Sequence, residues 1–340
     1  MSATVLSDLW FGVVAFFWVG YFFLEGFDFG VGMLLQVLSR EQAGRGAMIG
    51  AIAPVWDGNE VWLVVAIGAT FAAFPSWYAL LLSGAYPAVF VILVSLILRV
   101  VAFEFRGQRD DPHWVAWWER AITFGSVVPP LLWGIVLTSL LFGLPVDKAG
   151  DFVGRPWDLL RPAPILGGIA LTVLCLLHGA VYLCLRTSGP VADRARRAVT
   201  VLWAPALLLA AGFVAWVAFG TAGGHAHGLL SILVPALGLV ALLLVLPLHR
   251  AAREGLALVA TGGGIVLVLL TLFGALFPNV VVSSIQGAYD LTVTSATSSP
   301  YTLTVMSVAA VVFAPLVVLY QGWTYWVFRK RLSSGPVPEG

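Results

Sequence analysis

The sequence predicts an all-α polytopic membrane protein with nine transmembrane helices. Hydrophobic residues make up 60% of its 340 residues and charged residues only 10%, whereas soluble domains carry about 25% charged residues. Nine apolar runs are each long enough to cross a bilayer, which takes about 20 residues. A run inside a bilayer must be helical, because a helix satisfies its backbone polar groups within the span.

The predicted spans are joined by short polar breaks such as SREQAGRG, RGQRDDPH and LRTSGPVADRARR, which carry turn and charge signals. Only Pro75 and Ser76 separate the second run from the third, so these spans should form a tight hairpin. We expect residues 1–330 to form a single transmembrane domain and residues 331–340 a short, disordered tail. The predicted spans are 8–38, 48–74, 77–103, 118–143, 164–186, 198–220, 229–248, 255–277 and 302–328.

Basic residues are distributed unequally between the two sides of the membrane. Of the 18 Lys and Arg residues, 14 fall in loops after odd-numbered spans or in the C-terminal tail. Only Lys148, Arg155 and Arg161 fall on the opposite side. Because cytoplasmic loops carry an excess of Lys and Arg, we predict that the N-terminus is outside and that the C-terminal tail is cytoplasmic.

Four acidic residues lie within the first two predicted spans. Asp57 and Glu60 belong to the segment IAPVWDGNEVW, and Glu25 and Asp28 to EGFDFG. Asp57 and Glu60 should project from one helix face, because positions three apart are neighbours. A carboxylate inside a span is costly and usually faces a protein interior or a water-filled path. The alternative is that Asp57 and Glu60 are ordinary solvated acids at a helix end.

The depth of these acids can be counted from the ends of the predicted spans. Asp28 and Asp57 each lie about ten residues from the cytoplasmic side, and so at a similar depth. Arg99, near the cytoplasmic end of the third span, is a candidate counter-charge for one of them. Gly26 and Gly30 form a small-xxx-small pair that lets a neighbouring helix approach closely. Plain helix packing with an incidental acid is the alternative interpretation of this segment.

Residues that bind metals or haem are scarce in the predicted spans. Only His178 lies inside an apolar run, and a buried haem needs axial ligands from facing helices. We therefore interpret His178 as a packed or hydrogen-bonded residue. His225 and His227, in an outer loop, are a weak metal signal, and we predict no metal site. Cys175 and Cys184 are about 13 Å apart along a helix, too far for a disulfide, and are interpreted as buried small apolar residues.

These features fit two classes of membrane protein. One is a proton-conducting or scaffold subunit of a larger membrane enzyme, and the other is a proton-coupled secondary transporter. Secondary transporters commonly contain broken helices in two repeated halves. Spans 1–4 and 5–8 are equal in number and could form such halves. However, the acids concentrate in the first half, and the sixth span has no counterpart of WDGNE. No basic segment interleaved with aromatic residues indicates a nucleic-acid partner.

Four segments resemble the signature segments of subunit II of the cytochrome bd-type quinol oxidases: EGFDFGVGML, IAPVWDGNEVWL, GSVVPPLLWG and TSATSSPYTLTVMS. The resemblance extends from about Leu9 to Arg329. It implies two pseudo-repeated four-helix bundles plus a final helix, in the cytoplasmic membrane of a bacterium. It also implies a complex that oxidises quinol and reduces dioxygen to water, contributing to the proton motive force.

The resemblance further implies the partners and cofactors of this chain. Two haems b and haem d are expected in subunit I, with which this chain would form an obligate heterodimer, and small single-span accessory subunits would join them. Some family members hold a structural quinone in subunit II. We therefore expect that this chain can bind a quinone, at a site that the sequence does not assign.

The resemblance also implies roles for individual residues. Asp57 corresponds to the acid that lines a cytoplasmic proton path toward the haems, and Asp28 corresponds to the acid of the family's GFD segment. Glu25 stands where relatives have Asp, and Glu60 where some have Gln. Together with Arg99 as counter-charge, these four acids are the candidate site residues.

Reporter fusions test the predicted orientation. A reporter fused after Arg109 or at the C-terminus should be cytoplasmic, and one inserted near Gly224 should be outside, because the basic residues concentrate on one side. Enzymatic activity of a reporter that works on only one side of the membrane measures this. A cytoplasmic signal from the 220–228 loop would mean that the predicted number of spans is wrong.

Overall fold

The computed structural model describes residues 3–220 and 228–333, and helices account for most of them. Eight helices in these residues are long and apolar enough to cross a membrane, namely α1, α5, α6, α7, α8, α9, α10 and α12. The helices are α1 (Ala3–Leu38), α2 (Gln42–Ile52), α3 (Trp56–Ala73), α4 (Pro75–Gly84), α5 (Tyr86–Phe105), α6 (Pro112–Phe142), α7 (Pro162–Arg186), α8 (Pro190–Gly220), α9 (Leu229–Arg250), α10 (Glu254–Leu276), α11 (Val293–Ala296) and α12 (Pro300–Val327).

The second and third predicted spans are each divided into two helices. Residues 53–55, including Pro54, separate α2 from α3, since proline lacks the amide hydrogen that a continuous helix would use. Phe74 alone lies between α3 and α4, so the connection between these two spans is as short as the sequence predicts. The polar start of α3 leaves this 18-residue helix outside the group of eight. The count of nine spans therefore stays a prediction.

The long helices repeat one packing pattern in the two halves of the chain. In the first half α1 packs against α3 and α6, and α5 packs against α6. In the second half α7 packs against α8 and α10, and α9 packs against α10. The halves meet where α7 packs on α1 and α6. This arrangement agrees with two pseudo-repeated four-helix bundles, with α12 as the final helix on the outside of α1 and α3.

Glycines bring α7 into very close contact with its neighbours. A Cβ atom added to Gly30 would lie 2.7 Å from the backbone of Gly179 and would overlap the carbonyl oxygen of Cys175. On α6, a Cβ added to Gly134 would lie 2.7 Å from Cα of Gly168. The predicted role of Gly30 in close helix approach is confirmed. At Gly26 the contact is less close, because an added Cβ would lie at an ordinary contact distance, 3.4 Å, from Cys175 Sγ.

The two ends of the bundle differ in character. At one end, residues 144–160 and 279–296 form a cap over the helices. Within this cap Asp290 accepts hydrogen bonds from Ser283 N (2.8 Å) and Asn279 Nδ2 (3.0 Å). This cap contains strands β2 (Asn279–Val281) and β3 (Leu291–Thr292), which pair antiparallel. The opposite end, here named the basic end, carries the residues Arg40, Arg45, Arg106, Arg186 and Arg250.

At the basic end, strand β1 (Thr187–Ser188) pairs in parallel with β4 (Leu332–Ser333). Arg331 Nε also donates to Leu185 O at 3.1 Å. The first residues of the tail that the sequence predicted to be disordered are therefore ordered by contacts with the chain that follows α7. Residues 334–340, together with His225, His227 and Gly224, lie outside the described residues.

A glycine substitution tests the α1–α7 contact. Gly30→Ala should destabilise the protein by about 1–3 kcal/mol, because the new methyl group meets backbone atoms, which cannot move aside as a side chain can. Gly12→Ala, on the same helix, is the control: no heavy atom lies within 4 Å of its added Cβ. It should be neutral or stabilising by about 0.5–1 kcal/mol. Thermal unfolding of both purified variants measures this, and equal melting temperatures would contradict the packing described.

Candidate functional site

A fully buried ion pair joins α1 to α5. Arg99 Nη1 donates to Glu25 Oε1, and neither side chain has any exposed surface. The guanidinium also lies over the rings of Phe29 and Phe103, with its Cζ atom 4.8 and 5.4 Å from their centroids. Arg99 thus neutralises Glu25, rather than Asp28 or Asp57 as the sequence had suggested.

The ion pair leaves several polar atoms without partners among the described residues. Glu25 Oε2, Arg99 Nε and Arg99 Nη2 are buried and make no hydrogen bond to them. A buried pair stabilises a fold only when its remaining donors and acceptors are also satisfied. Ionisable residues inside a membrane are rare and are by default candidates for a functional site, so this pair belongs to the candidate site.

Asp28 belongs to a hydrogen-bond network that reaches the last helix. Asn59 Nδ2, from α3, donates to Asp28 Oδ2 at 2.7 Å and to Leu24 O at 3.4 Å. Asn59 Oδ1 in turn accepts from Gln321 Nε2 at 2.6 Å and from Tyr325 OH at 2.8 Å, both on α12. Asn59 is thereby held in one orientation, while Asp28 Oδ1 has no partner among the described residues.

Asp57 lies on the opposite side of α3 from Asn59. Glu60 lies between these two positions, within electrostatic range of Glu25 and Asp28. Asp57 is exposed on the surface of this chain, and Glu60 is partly buried with Oε2 unpaired within the described residues. The Glu60 carboxylate interacts electrostatically with Arg99 and with Asp57. The expectation that Asp57 is itself buried is wrong for the isolated chain. Asn59, two positions later, is turned about 200° around the helix axis and takes the buried position.

A large apolar cavity adjoins this network. It has a volume of about 720 Å³ and lies among α1, α3, α7, α10 and α12. Its few polar lining residues include His178, Tyr182, Arg186, Gln321 and Tyr325.

His178 lines this cavity but is held by its neighbours on α10 and α1. Its Nδ1 is 2.6 Å from Thr261 Oγ1, and its Nε2 is 3.3 Å from Phe23 O. The side chain is 1% exposed. The prediction that His178 is a packed, hydrogen-bonded residue is therefore confirmed.

The sequence interpretation missed three members of the network. These are Asn59, Gln321 and Tyr325, to which the sequence pattern assigned no role. The available signal was polarity: Gln321 is an amide within the otherwise apolar stretch PLVVLYQGW, where an unpaired amide would be costly.

Comparisons with known proteins agree with this architecture. The family model described as cytochrome bd terminal oxidase subunit II matches residues 6–328. The chain is 42% identical over 328 residues to cytochrome bd ubiquinol oxidase subunit 2 of Bacillus subtilis (strain 168), which covers 96% of this chain and 97% of that protein. It is 35% identical over 363 residues to cytochrome bd-I ubiquinol oxidase subunit 2 of Escherichia coli (strain K12), covering 97% and 96%.

A solved structure has the same fold. The bd oxidase from Geobacillus thermodenitrificans contains a chain that superposes with a TM-score of 0.74, covering 96% of this chain and 100% of that one, at 18% sequence identity. The fold agrees with this solved structure, and the family pattern and the two relatives extend over nearly the full length. The chain belongs to the cytochrome bd terminal oxidase subunit II family.

Proposed function

We propose that this chain is the haem-free subunit of a bacterial membrane complex that oxidises quinol and reduces dioxygen to water. The observation that carries the proposal is the buried group formed by Glu25, Asp28 and the counter-charge Arg99, here named the acidic network. It lies in a chain whose relatives are named subunits of ubiquinol oxidases. Reduction of dioxygen to water consumes protons. Protein groups within the membrane must deliver these protons to the site in the complex where dioxygen is reduced. Ionisable residues inside spans commonly form such relays.

His178, the histidine inside the predicted spans, does not suit a haem. The side chain of His178 is enclosed between α1, α7 and α10, and both of its ring nitrogens are near polar atoms of the protein. A haem iron requires an axial ligand with a free lone pair, and both ring nitrogens of His178 already have partners. We therefore assign the two haems b and haem d to subunit I, the partner in the complex.

The face of α3 that carries Asp57 is the proposed contact with subunit I. Val61 and Val64 lie on the same side of this helix and are 51% and 69% exposed. An exposed carboxylate in the first turn of a span, next to an apolar surface, would be costly against lipid. A partner protein with polar groups opposite Asp57 removes this cost. The same partner would bring the haems close to the acids of this chain.

The four acids then define a proton path with a direction. Glu25 and Asp28 are fully buried, Glu60 is partly buried, and Asp57 is at the proposed interface. Glu25, Asp28 and Glu60 each keep one carboxylate oxygen without a partner in the described residues, so each can accept a proton there. Arg99 provides the balancing positive charge. Protons entering from the basic end, which we place in the cytoplasm, would reach subunit I through Asp57.

The apolar cavity is the proposed site of the structural quinone. Its volume of about 720 Å³ falls within the usual range for sites that bind small molecules, and its apolar walls suit a prenyl chain. Arg186 lines the cavity and has a buried Nε atom without a partner among the described residues. This N–H could donate to a quinone carbonyl. Small single-span subunits could cover α12, most of whose length is exposed.

Substitution of Asp57 tests the proposed path in the complex purified through a tag on this chain. In Asp57→Asn the haem content should stay normal, because the side chain keeps its size, whereas quinol-oxidase turnover should fall by about tenfold or more. An amide cannot carry the proton. Asp57→Glu should retain more activity than Asp57→Asn, and Asp28→Asn should also be slow. Oxygen consumption with a quinol, and the haem spectrum, measure these outcomes.

Asp110→Asn is the matched control for this experiment, since Asp110 is an exposed acid in the loop before α6. It should leave turnover unchanged. A fully assembled Asp57→Asn complex with wild-type turnover would refute the role in proton transfer. Loss of the haems would instead make Asp57 a structural contact with subunit I. A colourless chain that purifies alone would overturn the proposed function.

Paired substitutions test the ion pair separately. Glu25→Gln or Arg99→Met alone should destabilise the complex by roughly 3–5 kcal/mol, because each leaves a buried charge without its partner. The double variant should lose clearly less than the sum, since it removes both charges. Thermal denaturation of the three complexes measures the coupling. Additive losses would show that the two side chains do not depend on each other.

A further inference from the structure

A second group of chemically reactive side chains lies at the basic end of the other half of the chain. It consists of Cys184 on α7, His249 near the end of α9 and Glu254 at the start of α10. One potential ligand atom from each residue lies within 4.8 Å of the other two. These residues are 0%, 8% and 4% exposed, respectively. No part of the acidic network contributes to this group, here named the thiol cluster.

The fold holds the thiol cluster in place through a tight turn between α9 and α10. Ala252 adopts a positive φ of 56°, and Ala252 N donates to His249 O at 2.9 Å. Arg253 N donates to Leu248 O at 3.0 Å. The turn reverses the chain, so that the side chains of His249 and Glu254 face each other across it. Because α10 also packs on α7, the Cys184 thiol is brought to the same point.

The hydrogen bonds of His249 determine what its other nitrogen can do. Its Nε2 lies 3.2 Å from the backbone oxygen of Arg196, and a carbonyl oxygen only accepts, so Nε2 carries a hydrogen. Its Nδ1 lies 3.0 Å from Glu254 Oε2. In the neutral ring Nδ1 presents a lone pair to Glu254 Oε2, and two acceptors do not hydrogen-bond each other. Either a proton shared by the two residues or a metal ion must therefore lie between them.

We propose that the thiol cluster binds a divalent transition metal of the zinc type, through Cys184 Sγ, His249 Nδ1 and Glu254 Oε2. Sulfur, imidazole and carboxylate are the three ligand types that zinc uses in proteins, and a water molecule completes the tetrahedron. A proton between His249 and Glu254 accounts for those two residues, whereas a metal also accounts for the thiol beside them. The metal would join α7, α9 and α10 at the basic end.

The surroundings have the features of a metal site. The Arg196 carbonyl that accepts from Nε2 orients the ring, as backbone carbonyls do for ligating histidines. The Arg196 Nε atom lies 3.5 Å from Glu254 Oε1, which leaves Oε2 for the metal. Ligand atoms of a tetrahedral zinc are about 3.3–3.7 Å apart, so separations of up to 4.8 Å must shorten by about 1 Å, while the 3.0 Å between His249 Nδ1 and Glu254 Oε2 widens slightly. Cys184 binds as the thiolate, and its proton is released to solvent.

Zinc is the probe for the test, which uses the intact purified complex. After a wash with chelator and reloading with zinc, elemental analysis should find a single tightly held zinc per copy of this chain. Zinc K-edge X-ray absorption should show one sulfur among nitrogen and oxygen ligands, and the iron of the haems does not interfere at this edge. Cys184→Ser and His249→Gln should lower zinc affinity by at least about tenfold.

Cys175→Ser is the matched control, because Cys175 is equally buried on the same helix and lies outside the thiol cluster. It should retain zinc. Zinc bound without a sulfur ligand, or equally by Cys184→Ser, would identify an adventitious ion and overturn the proposal. Failure of the wild-type complex to hold zinc would also overturn it, and a proton shared by His249 and Glu254 would then account for their contact. If Cys184→Ser does not assemble, the sulfur signal of the wild-type protein decides.

Discussion

The buried ion pair between Glu25 and Arg99 constrains the first half of the structure. A single charge without its partner would be very costly in the membrane, so α1 and α5 must be placed with these side chains in register. α1 also packs against α3, α6, α7, α10 and α12. Fixing α1 therefore fixes the helix around which both halves are arranged. Gly30 sets the distance from α1 to α7 at the same level of the helix.

Polar contacts, rather than apolar burial, hold the last helix to the bundle. α12 buries few of its side chains against the chain, and lipid offers no hydrophobic drive for helices to associate. Near one end, Trp10 Nε1 donates to Leu303 O at 3.2 Å and to Ser307 Oγ at 3.0 Å. Near the other, Gln321 and Tyr325 bind Asn59. The contact that anchors α12 thus also orients the amide beside Asp28.

The two halves repeat one packing pattern but carry different chemistry. The first half holds the four acids and Arg99, between α1, α3 and α5. The second half has Cys184, His249 and Glu254 at its basic end, and it contributes to the apolar cavity that adjoins α1 and α12. Helix pairing is set by the general fit of apolar and small residues, so each half can keep the same arrangement while its few polar residues diverge.

The sequence by itself determined the class of protein, placed four acids within the first two predicted spans and identified Gly30 as a glycine at a close helix contact. These follow from composition and from local spacing, because a bilayer admits only long apolar helices. The division of the second span at Pro54 was also foreseeable, since proline breaks the helical hydrogen-bond pattern. The resemblance of long segments then identified the family, which the comparisons bear out.

Only the tertiary structure decided which polar residues meet. Arg99 pairs with Glu25 across 74 positions, and Gln321 bonds Asn59 across 262. After its polar first turn, α3 is apolar on nearly all sides, so its sequence does not say that Asn59 faces the bundle and Asp57 the exposed side. The rotation of such a helix is set by packing against its neighbours. The thiol cluster arises in the same way, from three helices that the sequence alone could not bring together.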